Sequence, residues 1–419
     1  MNELDIRREK LFSLMKDNSV AIIFSGVSKI ATEDEFYPFL VNNSFFYLTN
    51  ISQEHSVLLM IKGLGEKKCY LFIDEYSELK EKWTGRRLTF NEAEHLSGLQ
   101  NIYTTDNFDN MLDLALTNQN NQYGSIKTLY LDLTPENKID DSKSTSNLRD
   151  ELEAKYSGIE TLDVKPLITS LRMVKSQYEI EQIKDAIALT NLGINKMILE
   201  MRPGMFEYEL ADMFEFFGRG HSRSKLAFST IVASGKNATC LHYPTQNCTI
   251  KSDDMVLFDL GYKSNGYCAD ISRTFPVNGK FQGVGKSIYE AVLNCNKAVI
   301  EYAHAGLTLA DLQQFAKEFL KNECIRLNLL QVDEDIQKVY YHNISHHLGL
   351  DTHDASNREK PLEEGNVITV EPGLYFANYG IGVRIEDDVL IHEKNAESLS
   401  INIPKEIEDI EKLLATKGR

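Results

Sequence analysis

The sequence has few of the features that mark secreted or membrane proteins. Only six of its 419 residues are cysteines, none of them spaced as a CxxC pair, and a chain of this length can bury a large core without disulfides. No apolar run approaches the ~18 residues that span a bilayer, and the charged N-terminal segment has no apolar centre of the kind found in secretory signals. We therefore expect a cytoplasmic protein with reduced cysteines.

The chain also lacks an excess of positive charge. It contains 45 Lys and Arg against 62 Asp and Glu, which gives a formal net charge of −17. Nucleic-acid phosphates and anionic lipid headgroups are held mainly by Lys and Arg, so we expect neither a nucleic acid nor a membrane surface as a partner. An acidic balance is ordinary for a cytoplasmic protein and indicates no function by itself.

The length predicts two domains, because single domains usually contain roughly 100–200 residues. In residues 1–165, apolar strand-like runs such as 20–24 alternate with amphipathic stretches, which indicates an α/β domain. A capping box formed by Ser176 and Glu179 then starts a long helical pattern. We place the second domain at residues 166–419, where a long helix followed by a hairpin pattern occurs twice.

Two aspartates lie in the first of these hairpin patterns. If residues 263–266 form a four-residue loop, Asp259 faces Asp270 directly. If Asn265-Gly266 is a two-residue turn, Asp270 faces Gly261 and Asp259 lies diagonally on the same face. Either register places the two carboxylates roughly 4.5–8 Å apart on one side. Like charges this close destabilise a sheet unless something neutralises them.

Two glutamates occupy the second hairpin pattern in the same way. Glu371 and Glu386 flank residues 377–380, and an even-length loop there places both on one face. Each has apolar neighbours, which indicates a partly buried site. Between the hairpins lies a dense group of histidines, of which His346 is our candidate fifth ligand.

Four carboxylates and one imidazole form a hard, oxygen-rich ligand set. Such a set favours Mn²⁺, with Co²⁺, Fe²⁺ or Zn²⁺ as alternatives. Two divalent cations would neutralise four carboxylates, and two-metal sites activate a bridging water for hydrolysis. A single Asp or Glu in such a pattern is more often a solvated or salt-bridged residue, so spacing alone leaves both interpretations open.

Seven segments of the second domain and one of the first are recognisable motifs: 201–208, 231–243, 258–261, 270–275, 345–354, 370–375 and 382–388, with 37–49 in the first domain. They resemble the pita-bread metallopeptidases, most closely aminopeptidase P, with prolidase as a relative. The resemblance implies an α/β N-terminal domain of the creatinase/prolidase type, followed by an α+β pita-bread catalytic domain.

The resemblance also implies a centre with two divalent metal ions. Asp259 matches a ligand of one ion, and Asp270 and Glu386 match the bridging ligands. His346 and Glu371 match ligands of the other ion. Glu371 also matches the residue that takes a proton from the nucleophile and passes it to the leaving nitrogen.

Four further residues match groups around the substrate. His242 and His353 match two catalytic histidines on the substrate side, and His342 matches a histidine that faces the prolyl pocket. Arg384 matches an arginine beside the bridging carboxylates.

The implied activity is hydrolysis of the N-terminal Xaa-Pro bond of peptides by a hydroxide that bridges the metal ions. Prolidase, which has the same site but accepts only dipeptides, is the first alternative. A non-catalytic pita-bread binding module is the second, and it is disfavoured because all five ligand positions are filled. The N-terminal domain of this family typically makes subunit contacts, so we expect a homodimer or homotetramer.

Overall fold

The structure, a computed structural model, describes residues 2–74, 77–117, 122–134, 144–156, 158–222 and 225–416. The chain divides into two compact units, Met1–Leu171 and Arg172–Arg419. The domain boundary between residues 165 and 166 stays a prediction.

A six-stranded mixed sheet forms the centre of the first unit. Its strands are β1 (Ser19–Phe24), β2 (Val57–Gly63), β3 (Glu66–Ile73), β4 (Ile102–Thr104), β5 (Thr128–Leu131) and β6 (Glu160–Asp163). They lie in the order β4-β3-β2-β1-β5-β6. β2 pairs antiparallel with β1 and β3, whereas the pairs β3-β4, β1-β5 and β5-β6 are parallel. The helices of this part of the chain are α1 (Glu3–Leu14), α2 (Asn43–Thr49), α3 (Glu78–Thr84), α4 (Phe90–Ser97), α5 (Phe108–Thr117), α6 (Thr145–Lys155) and α7 (Lys165–Met173).

The central strands of this sheet are buried along their whole length. Every residue of β1 and β5 is buried, as expected for strands covered on both faces. Val20 and Ile22 of β1 pack in one cluster with Phe108 and Leu112 of α5. The α/β architecture predicted from the apolar runs is confirmed.

The second unit combines long helices with small antiparallel sheets. Its helices are α8 (Gln177–Glu200), α9 (Glu207–Ser222), α10 (Gly283–Tyr302), α11 (Leu309–Arg326) and α12 (Ile407–Leu414). Its strands are β7 (Ile231–Ser234), β8 (Met255–Leu260), β9 (Lys263–Ser264), β10 (Tyr267–Cys268), β11 (Ile271–Pro276), β12 (Val367–Val370), β13 (Gly373–Phe376), β14 (Ile381–Arg384), β15 (Asp387–Ile391) and β16 (Ala396–Ser398). The sheets are β11-β8-β7, β12-β15-β16, β13-β14 and β10-β9, so the predicted α+β class is confirmed.

The start of α8 follows the predicted capping box. The Ser176 side chain accepts from the backbone N–H of Glu179, and the Glu179 carboxylate accepts from the backbone N–H of Ser176. These contacts satisfy two amides that the first turn of a helix leaves unpaired.

The first hairpin adopts the shorter of its two possible turns. Tyr267 pairs with Ser264, which leaves Asn265-Gly266 as a two-residue turn. Both turn residues have positive φ, 45° and 89°, as type I′ hairpin turns require. Ser272 therefore pairs with Asp259, and this register places Asp270 opposite Gly261 rather than opposite Asp259.

The second hairpin has the register that an even-length loop predicts. Gly373 pairs with Arg384 and Val370 pairs with Asp387, so Glu371 lies opposite Glu386 and the two share one face, as an even-length loop predicts. At Glu371 and Glu386 the backbone N–H groups bond to other segments of the chain. The N–H of Glu371 donates to the Ile344 carbonyl at 2.9 Å, and that of Glu386 donates to the Ser272 carbonyl at 3.0 Å. The second bond joins the two hairpins beside their carboxylates.

Within the part of the chain that the structure describes, no helix combines the length and the apolar character needed to cross a membrane.

Candidate active site

The structure brings every site residue predicted from the sequence to one cavity of about 580 Å³ in the second unit. The predicted residues that line it are Asp259, Asp270, His346, Glu371 and Glu386, together with His242, His342, His353 and Arg384. Residues far apart in the chain thus converge because the two hairpins and the histidine-rich segment meet there.

The carboxylates stand where regular strand pairing begins or ends. Asp270 immediately precedes β11, Glu371 immediately follows β12, and Glu386 immediately precedes β15. Asp259 lies within β8. At these positions the backbone is held by its neighbours while the side chain reaches past the sheet into the cavity.

His346 lies against two of these carboxylates. Its Nε2 is 3.4 Å from Asp270 Oδ2 and 3.6 Å from Glu371 Oε1. Its Nδ1 donates to the His347 carbonyl oxygen at 3.1 Å, which leaves the lone pair of Nε2 available for a cation. One ligand atom each from Asp270, His346 and Glu386 lies within 4.8 Å of the others, close enough to hold a metal ion together.

The carboxyl groups are hard to ionise as they stand. Burial, reinforced by the neighbouring Glu386, raises the pKa of Glu371 to about 8. Burial and the nearby Asp259 raise the pKa of Asp270 well above its usual range, and burial and Asp270 do the same to the pKa of Glu386. Buried carboxylates this close require protons or cations.

Arg384 neutralises only part of the negative charge that these carboxyl groups carry when they are ionised. Its Nη2 donates to Asp259 Oδ2 at 2.6 Å, whereas Asp259 Oδ1 is buried with no hydrogen-bond partner among the described residues. An unpartnered carboxylate oxygen beside other carboxylates and an imidazole is the donor chemistry of a hard divalent cation. The residues present therefore fit divalent metal ions.

Ser272, which was not among the predicted site residues, connects Arg384 to the carboxylates. The Arg384 Nε donates to Ser272 Oγ at 2.7 Å, and Ser272 Oγ donates to Glu386 Oε2 at 2.7 Å. The available signal was position, because Ser272 lies two residues from Asp270 on the same face of the strand.

Tyr375, which was also not among the predicted site residues, connects Arg384 to a histidine. The Arg384 Nη1 donates to the Tyr375 hydroxyl at 3.1 Å, and that hydroxyl donates to His342 Nε2 at 2.8 Å. The His342 Nδ1 donates to the Asn343 carbonyl oxygen at 2.8 Å, so the ring is a neutral tautomer with Nε2 as acceptor. Burial lowers the pKa of His342 to about 3, in agreement with that state.

The two remaining histidines face the open part of the cavity. The rings of His353 and His346 lie 4.1 Å apart between centroids. Burial, followed by the charge of His346, lowers the pKa of His353, so its ring is a neutral imidazole that can donate one N–H. His242 lines the same cavity beside apolar side chains such as Leu241 and Ile231.

Two protein-family models match the sequence. The one described as Metallopeptidase family M24 matches residues 181–393, and the one described as Aminopeptidase P, N-terminal domain, matches residues 5–123. The chain belongs to metallopeptidase family M24. It is a metallo-exopeptidase with an aminopeptidase P type N-terminal domain, and the fold that the motifs implied is confirmed.

Full-length relatives support this assignment. The chain is 33% identical to the Xaa-Pro aminopeptidase of Haemophilus influenzae, with 98% of this chain and 97% of that protein covered. It is similar to the structure of a putative aminopeptidase P from Bacillus anthracis at 38% identity and a TM-score of 0.94, covering 99% and 98% of the two chains. It is also similar to zinc-substituted E. coli aminopeptidase P in complex with product, at 29% identity and a TM-score of 0.88, covering 100% and 98%.

Replacing Tyr375 by phenylalanine is expected to lower kcat/KM for peptide hydrolysis about tenfold, with the metal content unchanged. The change leaves Arg384 Nη1 and His342 Nε2 without the hydroxyl that connects them. Steady-state kinetics and metal analysis of the purified variant check this. The control is Tyr341→Phe, because Tyr341 packs on the Tyr375 ring but donates to a backbone carbonyl outside the network. Equal losses in both variants would argue against a role for the network.

Proposed function

We propose that the chain is a dinuclear metal-dependent aminopeptidase that removes the N-terminal residue from peptides with proline at the second position. The observation that carries the proposal is the convergence of four carboxylates and His346 in one cavity, with carboxyl groups that resist ionisation without a cation. The names of the full-length relatives support the same substrate class.

We assign the metal ligands as follows. Asp259 would hold one ion, His346 and Glu371 would hold the other, and Asp270 and Glu386 would be ligands shared by both. The hard donor set favours Mn²⁺, with Co²⁺, Fe²⁺ or Zn²⁺ as alternatives. When bound, such ions supply a water that ionises near neutral pH and polarise a carbonyl group.

Glu371 is assigned the proton transfer. A carboxylate beside the reacting atoms can take a proton and pass it on, which is the task of a general acid–base catalyst. An Xaa-Pro amide nitrogen is tertiary and carries no N–H, so it becomes a good leaving group only when it is protonated. We assign the delivery of that proton to Glu371, which lines the cavity.

The histidines are assigned to the substrate. His353 and His242 donate to the carbonyl oxygen as negative charge develops on it, a contribution that is larger in the transition state than in the ground state. His342, whose pKa burial lowers to about 3, would face the proline ring as a neutral imidazole and needs no N–H from the substrate.

The test compares the cleavage of three peptides: Xaa-Pro-Yaa, the dipeptide Xaa-Pro, and Xaa-Ala-Yaa as the control. We expect Mn²⁺-dependent cleavage of Xaa-Pro-Yaa with release of the first residue, and little cleavage of the alanine peptide. Hydrolysis of the dipeptide alone would identify a prolidase instead. A metal-loaded protein that binds but never cleaves these peptides would indicate the non-catalytic binding module.

Two further expectations belong to this proposal. The cytoplasmic location stays a prediction, as does assembly into a homodimer or homotetramer, which light scattering on the purified protein would measure.

A further inference from the structure

His353 lies in a tight turn beside the cavity, and its ring contributes little to the stability of this turn. Among the residues that the structure describes, the His353 ring has no hydrogen bond, and its recorded ring contact is with His346. The direction of the imidazole therefore depends on the backbone of the turn. The next residue, Asp354, has a buried side chain that is 1% exposed.

Two cations hold the Asp354 carboxylate. Arg172 Nη2 donates to Asp354 Oδ1 at 2.5 Å, and Lys175 Nζ donates to Asp354 Oδ2 at 3.0 Å. The Arg172 and Lys175 side chains are 5% and 1% exposed. Arg172 Nη2 also reaches Asp351 Oδ2 at 2.7 Å, so two positive charges meet two negative ones and the group needs no further counter-ion.

The backbone of the turn closes onto the same carboxylate. The N–H of Asp354 donates to the His347 carbonyl at 2.8 Å, and the N–H of Asp351 donates to Asp354 Oδ1 at 3.4 Å. A Cβ added at Gly349 would lie 2.3 Å from Asp354 Oδ2, so only glycine allows this approach. The carboxylate thus contacts the backbone on the N-terminal side of His353, and the backbone bond from Asp354 to His347 closes the segment that carries His353.

We propose that Asp354, clamped by Arg172 and Lys175, is a positioning residue that sets the direction of the His353 imidazole toward the substrate. The inference rests on the proposed function, in which His353 donates to the carbonyl oxygen. Misplacing a donor by about 1 Å can cost roughly a hundredfold in rate, and a residue adjacent to His353 in a closed turn is able to prevent such a shift.

A double-mutant cycle tests the coupling. Kinetics with Xaa-Pro-Yaa are measured for the wild type, Asp354→Asn, His353→Ala and the double variant. We expect Asp354→Asn to lower kcat/KM about 10- to 100-fold alone and less than about twofold when His353 is already alanine. Equal factors in both backgrounds, or a fully active Asp354→Asn variant, would overturn the proposal, because a merely structural role predicts a loss that is independent of His353.

Asp351→Asn is the matched control. Asp351 lies in the same turn and accepts from the same arginine, but its side chain is 46% exposed, so we expect less than a twofold change. If Asp354→Asn does not fold, Arg172→Lys replaces it in the cycle, since lysine keeps the charge but cannot reach both carboxylates from one planar group. An Arg172→Lys effect that persists in the His353→Ala background would overturn the proposal.

A second readout needs no activity. In metal-free protein with isotope-labelled histidine, the His353 ring signal is identified by its loss in His353→Ala. We expect this signal to move in Asp354→Asn and to stay in place in Asp351→Asn. An unmoved signal would overturn the positioning role. Failure of the wild type to cleave Xaa-Pro-Yaa would instead reject the proposed function, so the two failures are distinguishable.

Discussion

Replacing Glu371 by glutamine is expected to lower kcat for Xaa-Pro-Yaa peptides by roughly a thousandfold or more while the protein remains folded. The amide can neither take a proton from the nucleophile nor deliver one to the proline nitrogen. In the proposed site it also exchanges an anionic metal ligand for a neutral one. Because both losses occur at the reacting atoms, the effect should appear in kcat more than in KM.

The fold should survive because of the state of the native carboxyl group. Without a cation, a pKa of about 8 keeps the buried Glu371 carboxyl protonated at neutral pH, and glutamine has nearly the same shape as a protonated glutamic acid. Circular dichroism and the thermal midpoint check this. The control is Glu364→Gln, an exposed glutamate in the turn before β12, which should keep wild-type kinetics. A Glu371→Gln variant with more than a tenth of the wild-type kcat would contradict the assigned role.

Central and edge strands of the six-stranded sheet leave different patterns in the sequence. β1 and β5 are continuous apolar runs because both their faces are covered. β4 and β6 are the two edge strands of the same sheet, and their residues are only partly buried or exposed. An edge strand of three or four partly exposed residues carries no apolar periodicity, so no pattern in the sequence marks it.

The positions of the site residues could be predicted where hairpin spacing or a sequence motif determines them. They could not be predicted where contacts between distant parts of the chain determine them. With an even-length loop, the spacing of Glu371 and Glu386 was enough to place them on one face. The spacing of Asp259 and Asp270 left two hairpin registers open. The structure has the register with the two-residue turn, in which Asn265 has a positive φ. The arginine that clamps Asp354 lies 182 residues earlier in the chain, a pairing that no local pattern contains.

Removing the metal ions is expected to make stability fall as the pH rises from about 6.5 to 8, and adding Mn²⁺ is expected to reverse this. Glu371, Asp270 and Glu386 have pKa values raised in the folded, metal-free protein. In this pH range the folded protein keeps protons that the unfolded chain has already released. The folded state therefore binds more protons, and its stability decreases with pH by about 1.4 kcal/mol per pH unit for each such proton.

The lower limit of this range is set by histidines. Burial lowers the pKa of His342 and of His347 to about 3, from the usual 6.5. Below pH 6.5 the unfolded chain protonates these rings and the folded protein does not, so stability there rises with pH and opposes the carboxyl effect. Above pH 6.5 the unfolded chain also loses these protons, so the opposing histidine effect fades toward pH 8 and the raised pKa values of the carboxyl groups set the sign.

Metal binding has the opposite dependence because ligand carboxylates must lose their protons. Mn²⁺ at 100 times its dissociation constant stabilises a folded protein by about 2.7 kcal/mol, and that constant should itself improve as the pH rises. We therefore expect the increase in thermal midpoint on adding Mn²⁺ to be larger at pH 8 than at pH 6.5. Calorimetric titration in buffers of different ionisation enthalpy should show proton release on binding.

The Glu371→Gln variant separates this mechanism from a general effect of pH. It removes one group that holds a proton, so the metal-free variant should lose stability less steeply between pH 6.5 and 8 than the wild type, whereas Glu364→Gln should follow the wild type. A metal-free wild type whose thermal midpoint rises across this range, or an equal Mn²⁺ effect at both pH values, would contradict the account. Either result would mean that the buried carboxyl groups are already ionised in the folded protein before any cation binds.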